Sequence, residues 1–187
     1  MEKELEQTQN GIIKVVLFGP ESSGKSTLAK ALAKEYKTQW VPEFMRIYLQ
    51  EKWDQHQKIC TEEDMLPIAK GQIRLENEAA EKANKILFCD TNLLQNWVYA
   101  NVYFDDYKNP LFEKYVNKHE YRLYILCDID VSWQADDLRD KPNDREKMFA
   151  IFASELTKRN LPYLKTTGNV EERLAQCKPV LQSLLKK

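Results

Sequence analysis

The sequence predicts a three-layer α/β domain built on a five-stranded parallel sheet. Short apolar runs alternate with longer stretches of helical periodicity, which is the pattern of successive βαβ units. The first run empties into a glycine-bracketed loop, Gly19-Pro20-Glu21-Ser22-Ser23-Gly24-Lys25-Ser26, and an amphipathic helix leaves it. Two later runs each end on an aspartate, Asp90 and Asp128.

Taken in order, Ile12–Phe18 reads as the first strand, and Leu28, Leu32 and Tyr36 set one stripe of a helix over Lys25–Tyr36. Gln39–Val41 is a short second strand ended by Pro42. A helix follows from Glu43 to Leu49, and Gln50–Glu63 is polar and reads as a loop. The next helix is expected to settle after Pro67, because a proline deep inside a helix costs about 3 kcal/mol, and to run to Ala83. Ile86–Cys89 is a buried strand ending at Asp90, and Leu93–Phe104 is helical. Tyr124–Cys127 is another strand, Pro142 opens a helix bearing Phe149, Phe152 and Leu156, Tyr163–Lys165 is the last strand and Val170–Leu185 the last helix. Parallel neighbours imply right-handed crossovers.

With 187 residues the chain reads as one domain over residues 11–187, behind a disordered polar tail over residues 1–10. The 28 basic and 29 acidic side chains leave a net charge of −1, so no global field draws in nucleic acid or an anionic membrane. Cys60, Cys89, Cys127 and Cys177 lie far apart without a C-x-x-C pair, and His56 and His119 complete no zinc spacing. The start of the chain has no apolar signal region, and no run approaches the roughly 18 residues that span a bilayer. The expectation is a reduced, cytoplasmic protein with a small-molecule partner.

The loop carries the chemistry. Gly19 and Gly24 let backbone N–H groups turn inward around phosphate oxygens, with Glu21, Ser22 and Ser23 between them, and the helix N-terminus adds its partial positive charge. Lys25 brings a full charge to the β- and γ-phosphates, Ser26 a hydroxyl to Mg²⁺, and Thr27 stands beside it. A bare turn before a capped helix would account for Gly19 and Ser26 but not for a lysine inside the turn. The expected fold is therefore the P-loop NTPase fold, with ATP and Mg²⁺ as the cofactors.

Other residues carry two readings each. Asp90 ends a strand where a Mg²⁺ ligand is expected, and it also precedes a helix that it could cap. Glu43 follows the second strand, at the end of a parallel sheet where ligands gather. There it would accept a proton from an attacking hydroxyl, or simply favour the first turn of its helix. The charged stretch Trp133–Arg145 reads as a lid carrying Arg139 and Arg145 onto a phosphoryl group, or as a solvated loop of weak salt bridges. Gln72 interrupts an apolar stripe and reads as a substrate contact or as the edge of a buried face. Trp97, Tyr99, Tyr103 and Tyr107 would stack on a base or fill the core.

The blocks G-P-E-S-S-G-K-S-T-L, W-V-P-E-F-M-R, I-L-F-C-D-T-N and W-Q-A-D-D-L-R together resemble the ribosylnicotinamide kinase domain of NadR-like bacterial NAD-salvage proteins, from about Ile12 to Leu185. The resemblance implies a nucleoside- or nucleotide-kinase-like scaffold that moves the γ-phosphoryl group of ATP onto nicotinamide riboside. It places phosphate and Mg²⁺ on Lys25 and Ser26, Asp90 at the Walker-B position, Glu43 and Arg46 in an E-x-x-R after the second strand, and a lid on Asp136, Arg139 and Arg145. The acceptor is then expected between Glu43, Arg46 and the helices bearing Gln72 and Tyr103. Gly71, Arg74 and Tyr103 match more loosely, and Asn92 stands where a second acid is expected. The larger family members carry a DNA-binding helix-turn-helix and an adenylyltransferase domain; the length and the absence of an H-x-G-H-type motif lead us to expect neither in this chain. Kinases of other nucleosides share every ATP-side residue. An ATP-driven regulatory switch is the other alternative, whereas a GTPase switch is disfavoured: no aspartate lies three residues before any of the five glycines, and Asn117-Lys118-His119-Glu120 fails N-K-x-D.

Overall fold

Residues 2–133 and 144–186 are described by the computed structural model, and they form a five-stranded parallel sheet with helices on both faces. The strands are β1 (Ile13–Phe18), β2 (Trp40–Val41), β3 (Ile86–Asp90), β4 (Leu123–Cys127) and β5 (Tyr163–Thr166), in the spatial order β2-β3-β1-β4-β5. The helices are α1 (Lys25–Glu35), α2 (Phe44–His56), α3 (Met65–Ala80), α4 (Leu93–Tyr103), α5 (Pro110–Lys118), α6 (Arg145–Lys158) and α7 (Val170–Leu185).

The alternation of side chains along a strand divides the core in two. Val15 and Leu17 of β1 face Leu28 and Leu32 of α1 and Leu181 of α7. Val16 and Phe18 face the opposite layer, with Ile73 of α3, Val98 of α4 and Phe152 of α6. Leu17 stands opposite Asp90 in the β1–β3 register, and Val41 opposite Cys89 in β2–β3. The loop after β1, the carboxylate ending β3 and the turn after β2 therefore share one end of the sheet.

Four local expectations change. Residues 2–10 are not a loose tail: Glu2–Leu5 forms a 3₁₀ turn and Leu5 is fully buried. Polar residues hold the segment as well. Gln7 Nε2 donates to Glu76 Oε1 (2.8 Å), the same oxygen that accepts from Lys14 Nζ (3.0 Å), while Tyr121 OH donates to Glu76 Oε2 (2.8 Å). His119 Nε2 meets the Leu5 carbonyl at 2.7 Å. Composition alone cannot reveal that these polar side chains meet partners made by distant elements.

The helix α2 runs on to His56 through residues expected to form a loop, aided by i,i+4 pairs from Gln50 to Asp54 and from Gln55 to Glu51. Pro67 sits in the first turn of α3, where its missing N–H costs nothing, so the helix starts at Met65. The helix α5 was not foreseen, although Asn109 accepts from the Phe112 N–H (3.0 Å) and Pro110 opens it, a legible start signal.

Glu76 is the acceptor shared by Gln7, Lys14 and Tyr121, so Glu76→Ala should cost about 3–5 kcal/mol by leaving the Lys14 charge buried and unpaired. Urea unfolding measures it. A loss below about 1 kcal/mol would mean that Lys14 finds water instead.

Candidate active site

The loop between β1 and α1 turns through Gly19 (φ 134°), Ser22 (φ 53°) and Gly24 (φ 81°). A Cβ on Gly19 would stand 3.0 Å from the Cys127 carbonyl oxygen, so only glycine passes β4 there. The carbonyls of the loop are tied down one by one. Ser23 Oγ and Lys25 Nζ both donate to the Pro20 carbonyl at 2.8 Å. Arg145 Nη2 donates to the Ser22 carbonyl (3.0 Å) and Arg173 Nη1 to the Ser23 carbonyl (2.6 Å). The Gly19 N–H donates to Gln95 Oε1 of α4 (3.3 Å).

Ser26 Oγ donates to Asp90 Oδ2. Asp90 is buried, and its Oδ1 has no hydrogen-bond partner among the described residues. Burial raises its pKa above the usual carboxylate value, while Lys25, the Ser26 hydroxyl, Lys30 and Arg46 oppose that shift. An unsatisfied, buried carboxylate oxygen bonded through its sibling to the loop hydroxyl fits a divalent cation. The capping alternative falls to Asn92, whose side chain accepts from the Gln95 N–H (3.1 Å) and donates to Tyr124 OH (3.1 Å). Asp90 is therefore not the cap of α4.

Beside the loop lies a cleft of about 300 Å³ that brings together Glu21, Glu43, Arg46 and Tyr103. Its apolar wall comes from Met45, Leu49 and Trp53, spaced i, i+4, i+8 along α2, facing Tyr99 and Phe104 of α4 and the segment after it. The helix α2 has no fully buried residue: Met45 packs against the edge of the core, and the stripe lines the cleft.

Two expected residues take other places, and a third keeps its own. Gln72 is fully buried, its Oε1 accepting the Phe44 N–H (2.8 Å) and its Nε2 donating to the Pro42 carbonyl (3.3 Å). Gln72 is therefore not a wall of the cleft; it holds the turn that carries Glu43. Arg145 begins α6, donates to the Val131 carbonyl as well (3.0 Å), and lies 5.7 Å from the Trp133 ring. That position makes it a brace of the loop. Thr27 is exposed in the first turn of α1. Asp136 and Arg139 lie outside the described residues.

Arg173 escaped the sequence reading. It is buried on α7, where it also donates to the carbonyls of Gly168 (2.9 Å) and Asp128 (3.1 Å) and pairs with Asp130. Its signal was a cation in the first turns of a helix, where the dipole disfavours one.

A loop of this geometry, followed by a helix and flanked by a strand-end carboxylate, is matched over residues 14–173 by the family described as AAA domain. The chain belongs to the AAA domain family. Within the family's fold, it is similar to the trifunctional NAD biosynthesis/regulator protein NadR of Escherichia coli (strain K12), 25% identical over 174 residues that cover 91% of this chain and 42% of the relative. The chain thus spans less than half the length of that relative. A crystal structure of NadR protein in complex with NR has a TM-score of 0.73 at 20% identity, covering 92% of this chain and 51% of that one. Thymidylate kinase from Candida albicans has a TM-score of 0.67 at 14% identity, with 95% and 94% covered. The fold of this AAA domain is therefore that of the P-loop nucleoside and nucleotide kinases.

Arg173→Met removes the guanidinium that fixes the Ser23 carbonyl. ATP affinity measured by calorimetry on folded protein should fall by about tenfold or more, the usual weight of a charged hydrogen bond. Unchanged affinity would show that the loop keeps its shape without the arginine.

Proposed function

We propose that this AAA domain transfers the γ-phosphoryl group of ATP to a hydroxyl of a small nucleoside, and that the nucleoside is nicotinamide riboside, giving nicotinamide mononucleotide. The observation that carries the reading is the cleft: it opens beside the phosphate loop and holds Glu43 at its edge against an aromatic and aliphatic wall.

The loop amides receive the ATP phosphates. Lys25 Nζ, resting on the Pro20 carbonyl, swings to the β- and γ-phosphoryl oxygens. Ser26 and Asp90 would hold Mg²⁺, which when bound neutralises charge on the phosphate oxygens. Glu43 accepts the proton of the acceptor hydroxyl; the oxygen forms its bond to the γ-phosphorus as the bond to the β-bridging oxygen breaks, and ADP leaves. Arg145, and Arg139 from outside the described residues, stand for the loop brace and the lid cation.

Charge in the cleft favours a nucleoside over a nucleoside monophosphate. Among the described residues, Glu21 and Glu43 balance Arg46 and Lys58, leaving no surplus of cations for a dianionic phosphate. The nicotinamide ring of the riboside is positively charged, and an aromatic face attracts such a ring by about 0.5–2 kcal/mol. The likeness to NadR supports the same choice. No helix among the described residues is long and apolar enough to cross a membrane.

The test is kcat/KM for nicotinamide riboside beside uridine, cytidine and adenosine, with ATP and Mg²⁺ saturating. Nicotinamide riboside should be the best of them. A common nucleoside better by tenfold, or no phosphorylation at all, would remove the salvage reading. Separately, Asp90→Asn should raise the Mg²⁺ concentration that gives half-maximal rate, and superimposable titrations with wild type would mean that Asp90 holds no metal.

A further inference from the structure

Tyr99 lies in the second turn of α4, and only 6% of its surface is exposed. Its ring packs edge-on against Phe152, centroids 5.3 Å apart, and tilts against Tyr103 at 6.2 Å. For those contacts a phenylalanine would serve as well. The hydroxyl is what needs an explanation, because it is buried and has no hydrogen-bond partner among the described residues. It comes near the Glu21 backbone amide without closing a bond of ordinary geometry. A buried hydroxyl left unpaired costs folding free energy that the bare ring would avoid.

Its position is informative. Tyr99 lines the cleft with Glu21 and Glu43, and with Glu21 and Tyr103 it also bounds the narrow gap next to Pro20, Trp133 and Arg145. Tyr99 thus belongs to both the phosphate-loop gap and the cleft, with its hydroxyl buried between them. Burial first, then the charges of Glu43 and Glu21, hold its proton on far above the ordinary phenol range. At neutral pH it is a permanent donor beside two acceptors. A sugar hydroxyl donates one hydrogen bond and accepts others, so a phenol that donates beside carboxylates that accept matches both of its needs.

We propose that the Tyr99 hydroxyl donates a hydrogen bond to a sugar hydroxyl of the acceptor and so sets which polyhydroxylated acceptors the cleft takes. This deepens the nucleoside-kinase reading and rests on it, because it takes the cleft as the acceptor site. Glu43 keeps the proton-accepting role, and Tyr99 fixes the ring from which the reacting hydroxyl projects.

The experiment is Tyr99→Phe in the full chain, assayed with ATP saturating against nicotinamide riboside and against nucleosides alongside their 2′-deoxy and 3′-deoxy analogues, with nucleoside binding followed by calorimetry. Loss of one neutral hydrogen bond should lower kcat/KM for the intact acceptor by about threefold to tenfold through KM. The KM for ATP should not move. The loss should vanish for the one deoxy analogue that lacks the recognised hydroxyl, and the melting temperature should hold or rise. Equal kcat/KM in variant and wild type, an equal loss on every analogue, a matching rise in the KM for ATP, or a lowered melting temperature would each overturn the proposal. Wild-type turnover with an unaffected variant sinks Tyr99 alone. Nucleoside binding weakened in the variant without wild-type turnover sinks the kinase reading and keeps the Tyr99 contact, and neither binding nor turnover in the wild type sinks both.

Discussion

The site depends on where the carbonyls of residues 19–25 point. A backbone that turns its N–H groups toward one anion turns carbonyls elsewhere, and each carbonyl kept from water needs a donor. Three cations from three parts of the chain, Lys25, Arg145 and Arg173, supply donors to the carbonyls of Pro20, Ser22 and Ser23. Two of them are committed to the loop's shape. Lys25 differs, because phosphate offers its ammonium a stronger partner than a neutral carbonyl does. The loop is thus held from outside and tuned from within by one movable charge.

Sheet register extends the same logic to the proposed acceptor side. The opposition of Leu17 with Asp90, and of Val41 with Cys89, brings the loop, the Asp90 carboxylate and the Pro42–Phe44 turn to one end of the sheet. Gln72 then fixes that turn through both ends of its amide, and Glu43 is delivered by backbone rather than by a flexible reach of its side chain. The cleft wall follows from α2, whose Met45 touches the edge of the core while Leu49 and Trp53 continue the stripe along the cleft.

Strand order aside, most of the sheet was legible, because β1, β3 and β4 are predominantly apolar runs, broken only by Lys14 and the terminal Asp90, of the kind that parallel strands buried on both faces require. The loop residues were legible for a different reason: their spacing has few other uses. Gln72 and Arg173 were not, since their partners are backbone carbonyls and amides, which every residue possesses and no pattern marks. The N-terminal segment was misread on composition, because the donors and acceptors of Gln7 and Glu6 are met by Glu76, Tyr115 and Lys118, more than sixty residues away. The extent of α2 was hidden because its apolar spacing continues into polar residues, whose partners are i,i+4 neighbours or, for Lys52, the distant Asp64.

The most direct test is a crystal structure with a non-hydrolysable ATP analogue and nicotinamide riboside bound together. The account predicts that Lys25 leaves the Pro20 carbonyl for phosphate while Arg145 and Arg173 keep the Ser22 and Ser23 carbonyls. It also predicts a ribose hydroxyl between Glu43 and the γ-phosphate, with a second sugar hydroxyl on Tyr99. A loop that sheds both arginines on binding ATP, or a nucleoside seated outside the cleft, would contradict it.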